Sequence, residues 1–261
     1  MIKSKSQIFS KLIVSLVIVS FVWAIPYLLG QNIAKISSDL TYIALTVFLT
    51  VTAFFQVSQT RKGSKDNLIW IIFSIFAITY TAAQHIWAVN ELIFDQKPFP
   101  SLADVAFLID TICLIIFFIL YIKSLKQNIS KKMLVIAALP SCIIVLLSIY
   151  LYMLSNTTDS IMIQILLFSY PFLDAIALVP ALIGIMLWFK NKLNFPLLAI
   201  CSSMIPLITG DVLFQITTQN ETYYTGFIPD LFFYIQIDLL ILGVYYISNT
   251  IKNNNFEEKK I

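Results

Sequence analysis

Charged residues make up only 12% of this 261-residue chain, about half the share found in soluble domains. Histidine occurs once, cysteine three times, glycine six times and proline nine times. So little charge, beside 59% apolar residues and a mean hydropathy of +0.87, excludes a soluble domain built around one buried core. A disordered chain needs the opposite composition and is excluded as well. A net charge of +3 on so apolar a chain forms no basic patch, so no nucleic-acid partner is expected. Cys113, Cys142 and Cys201 are odd in number, lie within apolar runs and lack CxxC spacing. They therefore make neither a disulfide framework nor a thiolate zinc site. A lone histidine, His85, argues against a zinc site of the imidazole kind. No GxSxG or HExxH motif is present. What remains is an all-α polytopic membrane protein whose first partner is the lipid bilayer.

A membrane-spanning helix needs about 20 mainly apolar residues. Eight segments qualify: Lys11–Gly30, Leu40–Val57, Asn67–Ala88, Ser101–Ile122, Met133–Leu154, Ile161–Trp188, Pro196–Thr217 and Phe227–Ser248. They leave a single integral membrane domain, with residues 1–10 and 249–261 as short tails. The first apolar run, at about 19 residues, exceeds the 7–15 of a signal peptide core and is read as a helix. Connectors from odd to even spans hold only Lys35 and Lys97, whereas the other 15 basic residues lie on the opposite side or in the tails. By the positive-inside rule both termini are cytoplasmic, in a multi-pass protein of the cell membrane. Trp70 and Trp188 fall near the inner boundary and Trp87 near the outer one, as in an aromatic belt. Sequons occur at Asn128, Asn156 and Asn220, the last two in outer connectors.

The basic residues avoid the spans and the acids do not. Asp104, Asp110, Asp174, Asp211, Asp230 and Asp238 lie within spans, at or above the midplane, and His85 lies near the outer end of span 3. An ionised aspartate at the bilayer centre costs about 2.5–3.5 kcal/mol on insertion scales, so these side chains are expected to face the bundle interior or a water-filled cavity. No Lys or Arg lies deep in a span to pair with them. They bind a cation, carry protons, or accept hydrogen bonds from neighbouring groups. Asp104 follows Pro100-Ser101 and Asp230 follows Pro229, which places both in first helical turns, where free N–H groups stabilise a carboxylate. Asp211 sits late in its helix and Asp174 mid-helix, so neither has that support. Gln215 lies one turn beyond Asp211. Asp230 and Asp238 are expected to share a broad face. Asp104 and Asp110, about 120° apart, are expected to look into different interfaces. The candidate ligand- or cation-binding set is therefore Asp104, Asp174, Asp211, Asp230, Asp238, His85 and Gln215.

The chain also reads as two halves of four helices, 11–122 and 133–248, related by an offset of 126 residues. His85 and Asp104 are 19 apart, as are Asp211 and Asp230. Four helices per half make any such repeat parallel, with a natural binding site between the halves.

Four blocks carry a resemblance. They are Pro98-Phe99-Pro100-Ser101-Leu102-Ala103-Asp104-Val105-Ala106-Phe107-Leu108, Ser169-Tyr170-Pro171-Phe172-Leu173-Asp174, Gly210-Asp211-Val212-Leu213-Phe214 and Gly226-Phe227-Ile228-Pro229-Asp230-Leu231. In order and spacing they resemble the eight-helix N-terminal membrane region found in front of microbial diguanylate cyclase and histidine kinase output domains. The resemblance spans residues 67–248 and implies a sensory input module, with acidic positions at Asp104, Asp174, Asp211 and Asp230. Where that family often has Tyr-Pro, this chain has Asp110-Thr111. The 13 residues after Ser248 leave no room for an output domain, so any signal is expected to pass to a separate cytoplasmic or membrane partner.

The expected function is thus a membrane sensor-like or ligand-binding module with an outer-facing acidic cavity. A proton- or cation-coupled transporter, a structural subunit of a membrane complex and an intramembrane lipid hydrolase are the alternatives. The last rests on a loose likeness of Gly210-Asp211 to lysoplasmalogenase-type proteins. Cofactor and oligomeric state are left open, except that a retinal Schiff base is not expected, because no span carries the lysine it needs. The orientation is directly testable. A reporter active only in the cytoplasm should work when fused after Lys62 or Lys190 and be silent after Lys97 or Glu221; the opposite pattern would reverse the topology.

Overall fold

The computed structural model describes residues 5–125, 129–154, 161–190 and 195–258. Asn128, Asn156, Asp159, Lys3, Lys126, Lys192, Lys259 and Lys260 lie outside the described residues. Among the described residues there are nine α-helices: α1 (Lys5–Leu29), α2 (Gln31–Gln59), α3 (Lys65–Ala88), α4 (Leu102–Ser124), α5 (Lys131–Leu154), α6 (Ile161–Phe189), α7 (Phe195–Ser202), α8 (Met204–Gln219) and α9 (Ile228–Glu258). A π-helical turn, Val89–Ile93, prolongs α3. Eight helical stretches are long and apolar enough to cross a membrane, with α7 and α8 together forming one of them, Phe195–Gln219. Helices suit that setting because they satisfy their own backbone hydrogen bonds where no water can. The outward faces agree: Ile18, Phe21 and Leu28 on α1 and Ile143, Leu146 and Met153 on α5 are exposed and apolar.

Helix α1 begins at Lys5 rather than Lys11 and α9 runs to Glu258 rather than Ser248; three further differences each have a local reason. Helix α2 starts at Gln31 rather than Leu40, and Gly30 alone joins it to α1. Gly30 has φ +114°, a conformation that glycine adopts without a Cβ penalty. The polar stretch after it stays helical because Ala34, Ser38 and Asp39 are buried. The π turn after α3 rotates Glu91 inward to a buried position, whereas the sequence placed it in a connector. Span 7 is interrupted at Ser203. Pro206 supplies no N–H there, and its ring crowds the carbonyl one turn back; the Ser203 hydroxyl donates to Ile200 O at 2.7 Å.

Helix α9 is the hub and packs on α1, α2, α7 and α8. Helix α3 lies between α2 and α4, α4 also packs on α6, and α5 packs on α6 at the periphery. The bundle has two unlike ends. Glu91, Asp95 and Glu221 mark the end with residues 94–101 and 220–227, here the acidic end; Arg61, Lys62, Lys123 and Lys190 mark the basic end. Towards the basic end the interior is a closed plug of Phe73, Phe117, Ile200, Met204 and Ile237, all fully buried. Trp70 and Trp87 are buried at 3% and 7% exposure and pack inside the bundle, not in a belt at the lipid boundary. The three cysteines are free, and Cys201 is buried.

Glycine permits a close helix approach. A Cβ on Gly243 of α9 would lie 2.4 Å from Ile200 Cγ1 and 2.8 Å from Pro196 O, so the α7–α9 contact depends on a small residue. Gly243→Leu is expected to cost about 1–3 kcal/mol through overpacking, read as a lowered melting temperature in detergent. Ile143→Leu, on the exposed side of α5, should change stability by less than about 0.5 kcal/mol.

Candidate functional site

Above the plug, in the acidic half of the bundle, α3, α4, α8 and α9 part around a cavity of about 80 Å³. One water needs roughly 10–15 Å³ of such space, so the cavity admits several waters or a small ligand. Four carboxylates line it: Asp104 and Asp110 from α4, Asp211 from α8 and Asp230 from α9. No Lys, Arg or His is among the lining residues.

Two of the four acids are held by the ends of their own helices. Ser101 caps α4; its hydroxyl accepts from Ala103 N–H at 3.1 Å, and its N–H donates to Asp104 Oδ2 at 2.5 Å. This reciprocal arrangement satisfies donors that a helix start leaves free. Tyr170 of α6 completes the set, donating to Asp104 Oδ1 at 2.5 Å. Asp230 is held in a similar way at the start of α9. Gly226 N–H donates to its Oδ2, and the Tyr223 hydroxyl donates to its Oδ1 at 3.1 Å. Burial pushes the Tyr223 phenol well above its usual range, which keeps that donor proton in place. Tyr42 of α2 donates to the main-chain oxygen of Asp230 at 3.2 Å. The loop is pinned from outside by Trp23 Nε1, which donates to Gly226 O at 3.1 Å and Phe227 O at 3.2 Å.

The other acids are less satisfied. Asp110 Oδ1 accepts from the Thr111 hydroxyl at 3.2 Å, while its Oδ2 is buried without a hydrogen-bond partner. Asp211 is half-buried and lines the cavity. Asp174, 1% exposed, lies beside it on α6. Asp174 Oδ2 has no partner.

Aromatic rings form the rest of the wall. The Trp87 centroid lies 6.2 Å from Phe107, 6.3 Å from Phe214 and 6.3 Å from Tyr223. Tyr80 lies 5.9 Å from Phe107, and its hydroxyl donates to Gln236 Oε1 at 3.2 Å. A second cavity, of about 440 Å³, opens at the acidic end and shares Trp87, Tyr223 and Thr225 with the first. A chain of polar contacts crosses that boundary. Trp87 Nε1 donates to Thr225 Oγ1 at 3.0 Å, Thr225 donates to Glu91 Oε2 at 2.5 Å, and Lys35 Nζ lies 3.6 Å from Glu91 Oε1.

The residues expected from sequence therefore divide. Asp104, Asp211 and Asp230 converge on the cavity, with Asp174 directly behind. Asp110, expected in another interface, shares the cavity with Asp104, because one broad face of α4, with Phe107, Thr111 and Leu114 on it, lines the cavity along with both acids. Asp238 faces away and accepts from Ser15 of α1 at 2.6 Å, since the α9 hub presents a different neighbour on each side. Gln215 turns to α5, its Nε2 donating to Ser148 O at 3.4 Å. His85 is exposed, with Nδ1 2.8 Å from Thr81 O; its neighbour Gln84 takes the inward position. Tyr80, Trp87, Tyr170, Tyr223 and Thr225 were not expected at the site, because only the packing distinguishes them from ordinary core aromatics and loop hydroxyls. Among the described residues no three His, Cys, Asp or Glu side chains converge closely enough to hold a metal ion. Comparison of the chain with family models, curated proteins and solved structures gives no match.

Tyr170→Phe should cost about 1–3 kcal/mol, the usual penalty for leaving a buried polar group short of a partner, measured by thermal unfolding in detergent. Gly226→Ala should also destabilise. Its φ of +94° disfavours a Cβ, and that Cβ would stand 2.8 Å from the Ala34 backbone. An unchanged melting temperature in both variants would remove these contacts from the framework of the site.

Proposed function

We propose that this chain is a ligand-binding membrane module of the sensory kind. Its intramembrane cavity takes a small molecule from the acidic end, and the occupied state is read by a separate protein partner at the basic end. The carrying observation is a largely aromatic and apolar cavity that carries carboxylates and is closed below. Four carboxylates converge on it, and beneath it the interior is sealed by Phe73, Phe117, Ile200, Met204 and Ile237. A dead-ended site with unmet hydrogen-bond acceptors suits recognition. Transport would need a polar route onward, and the plug counts against one.

The excess of Lys and Arg at the basic end supports placing it, and both termini, on the cytoplasmic side of the cell membrane. The cavity then faces outward. Packing supports reading the chain as two halves. Helix α4 lies against α6 and α9 against α2, the exchange that a two-fold relation between halves requires. The tyrosines follow the same exchange: Tyr170 of α6 reaches Asp104 of α4, and Tyr42 of α2 reaches Asp230 of α9. A ligand lodged among α3, α4, α8 and α9 touches both halves, so its binding energy biases how they pack.

The test is occupancy. Protein taken from its native membrane into nanodiscs should carry a small molecule at about one per chain in native mass spectrometry. Asp110→Asn and Asp211→Asn should lose it, whereas Ile143→Leu should keep it. A wild-type protein with no bound small molecule, and a melting temperature unmoved by any compound in a broad metabolite panel, would sink the reading.

A further inference from the structure

We infer that the ligand of this cavity is an organic ammonium ion, held by Asp110 and Asp211 and caged by Tyr80, Trp87 and Phe107. The inference rests on the cavity being a ligand site, and it names the chemical class. Two features of the wall select that class together, and neither would suffice alone.

The first is uncompensated acid. Asp104 and Asp230 already accept main-chain N–H and tyrosine O–H donors. Asp110 does not have a full set: it is 6% exposed, and its Oδ2 is buried at the cavity wall without a partner. Asp211 offers a half-buried carboxyl to the same space. A donor-bearing cation meets these acceptors, and an anion or a plain hydrocarbon does not.

The second is the aromatic wall. Trp87 and Tyr80 flank Phe107 at centroid distances of 6.2 and 5.9 Å. Ring faces attract cations, and they favour weakly hydrated alkylammonium groups, whose carbons pack on the ring while the charge meets its face. A small metal ion would draw on several converging oxygens instead, and no three acidic, His or Cys side chains converge in that manner among the described residues. The approach has the same sign. The outer cavity carries Glu91, Asp95 and Glu221 against Lys35 and Lys97, an acidic excess that concentrates cations at its mouth.

The experiment uses the full chain in nanodiscs, with ethylammonium, n-butylammonium and tetramethylammonium chlorides as probes. n-Butanol, butyrate, sodium chloride and magnesium chloride are the comparisons. At least one ammonium probe should raise the melting temperature saturably, and the comparisons should not. Asp110→Asn and Trp87→Leu should each weaken that midpoint by about tenfold, with Trp87→Phe intermediate. Should either variant fail to fold, competition of the ammonium probe against the natively bound molecule in the wild-type protein decides instead. Equal or greater stabilisation by n-butanol, butyrate or a metal salt overturns the ammonium class while leaving a ligand cavity intact. Stabilisation by none of the probes also overturns it. A wild-type protein that in addition carries no bound molecule removes the cavity reading too.

Discussion

A carboxylate inside a lipid-embedded bundle must find hydrogen-bond donors or a counter-charge, and here the donors come from helix beginnings. Asp104 and Asp230 each sit in the first turn of a long helix and accept main-chain N–H groups from the residues just before it. The helix macrodipole adds to that stabilisation. Much of the acidic half follows from this requirement. The 220–227 loop must fold back to present Gly226 N–H, so Gly226 takes a positive φ and Ala34 packs against it. Tyr170 must reach across from α6, and Tyr223 down from the loop, to finish the two carboxylate shells. The cavity is the space that these helix starts enclose.

Because helix ends carry that task, no basic side chain is needed near the site, and none lines it. Asp110 and Asp211 are mid-helix or late-helix residues without such support, and Asp110 keeps a buried oxygen without a partner. The apolar plug below has a separate role. It gives the helices a rigid, close-packed seat, against which a polar and less tightly filled upper half can be maintained.

The spans were legible in the sequence because lipid imposes a simple rule: about 20 apolar residues per crossing. The first-turn roles of Asp104 and Asp230 were legible too, since Pro and Ser before an acid mark a helix start. The early start of α2 was not, because Gln31–Asp39 is polar enough to read as a loop and is kept helical by burial against a loop some 190 residues away. The inward face of each helix was legible only in part. In a bundle whose hub touches four neighbours, a polar side chain can point inward and still meet a different helix, as Asp238 meets Ser15 and Gln215 meets Ser148. His85 attracted attention as the lone histidine, yet one residue of helical phase gives the cavity to Gln84 instead.

The interruption at Ser203 separates two mechanical roles within one span. Helix α7 is locked to α9 through the close approach at Gly243, whereas α8, which carries Asp211, begins afresh beyond the break. A tilt of α8 can thus be absorbed at Ser203 without moving α7. Helix α9 has no such joint. It starts at the site with Asp230 in its first turn and runs unbroken for 31 residues, roughly 46 Å at 1.5 Å per residue, against a hydrocarbon layer of about 30 Å. One continuous element thus begins at the cavity and is longer than the hydrocarbon layer is thick.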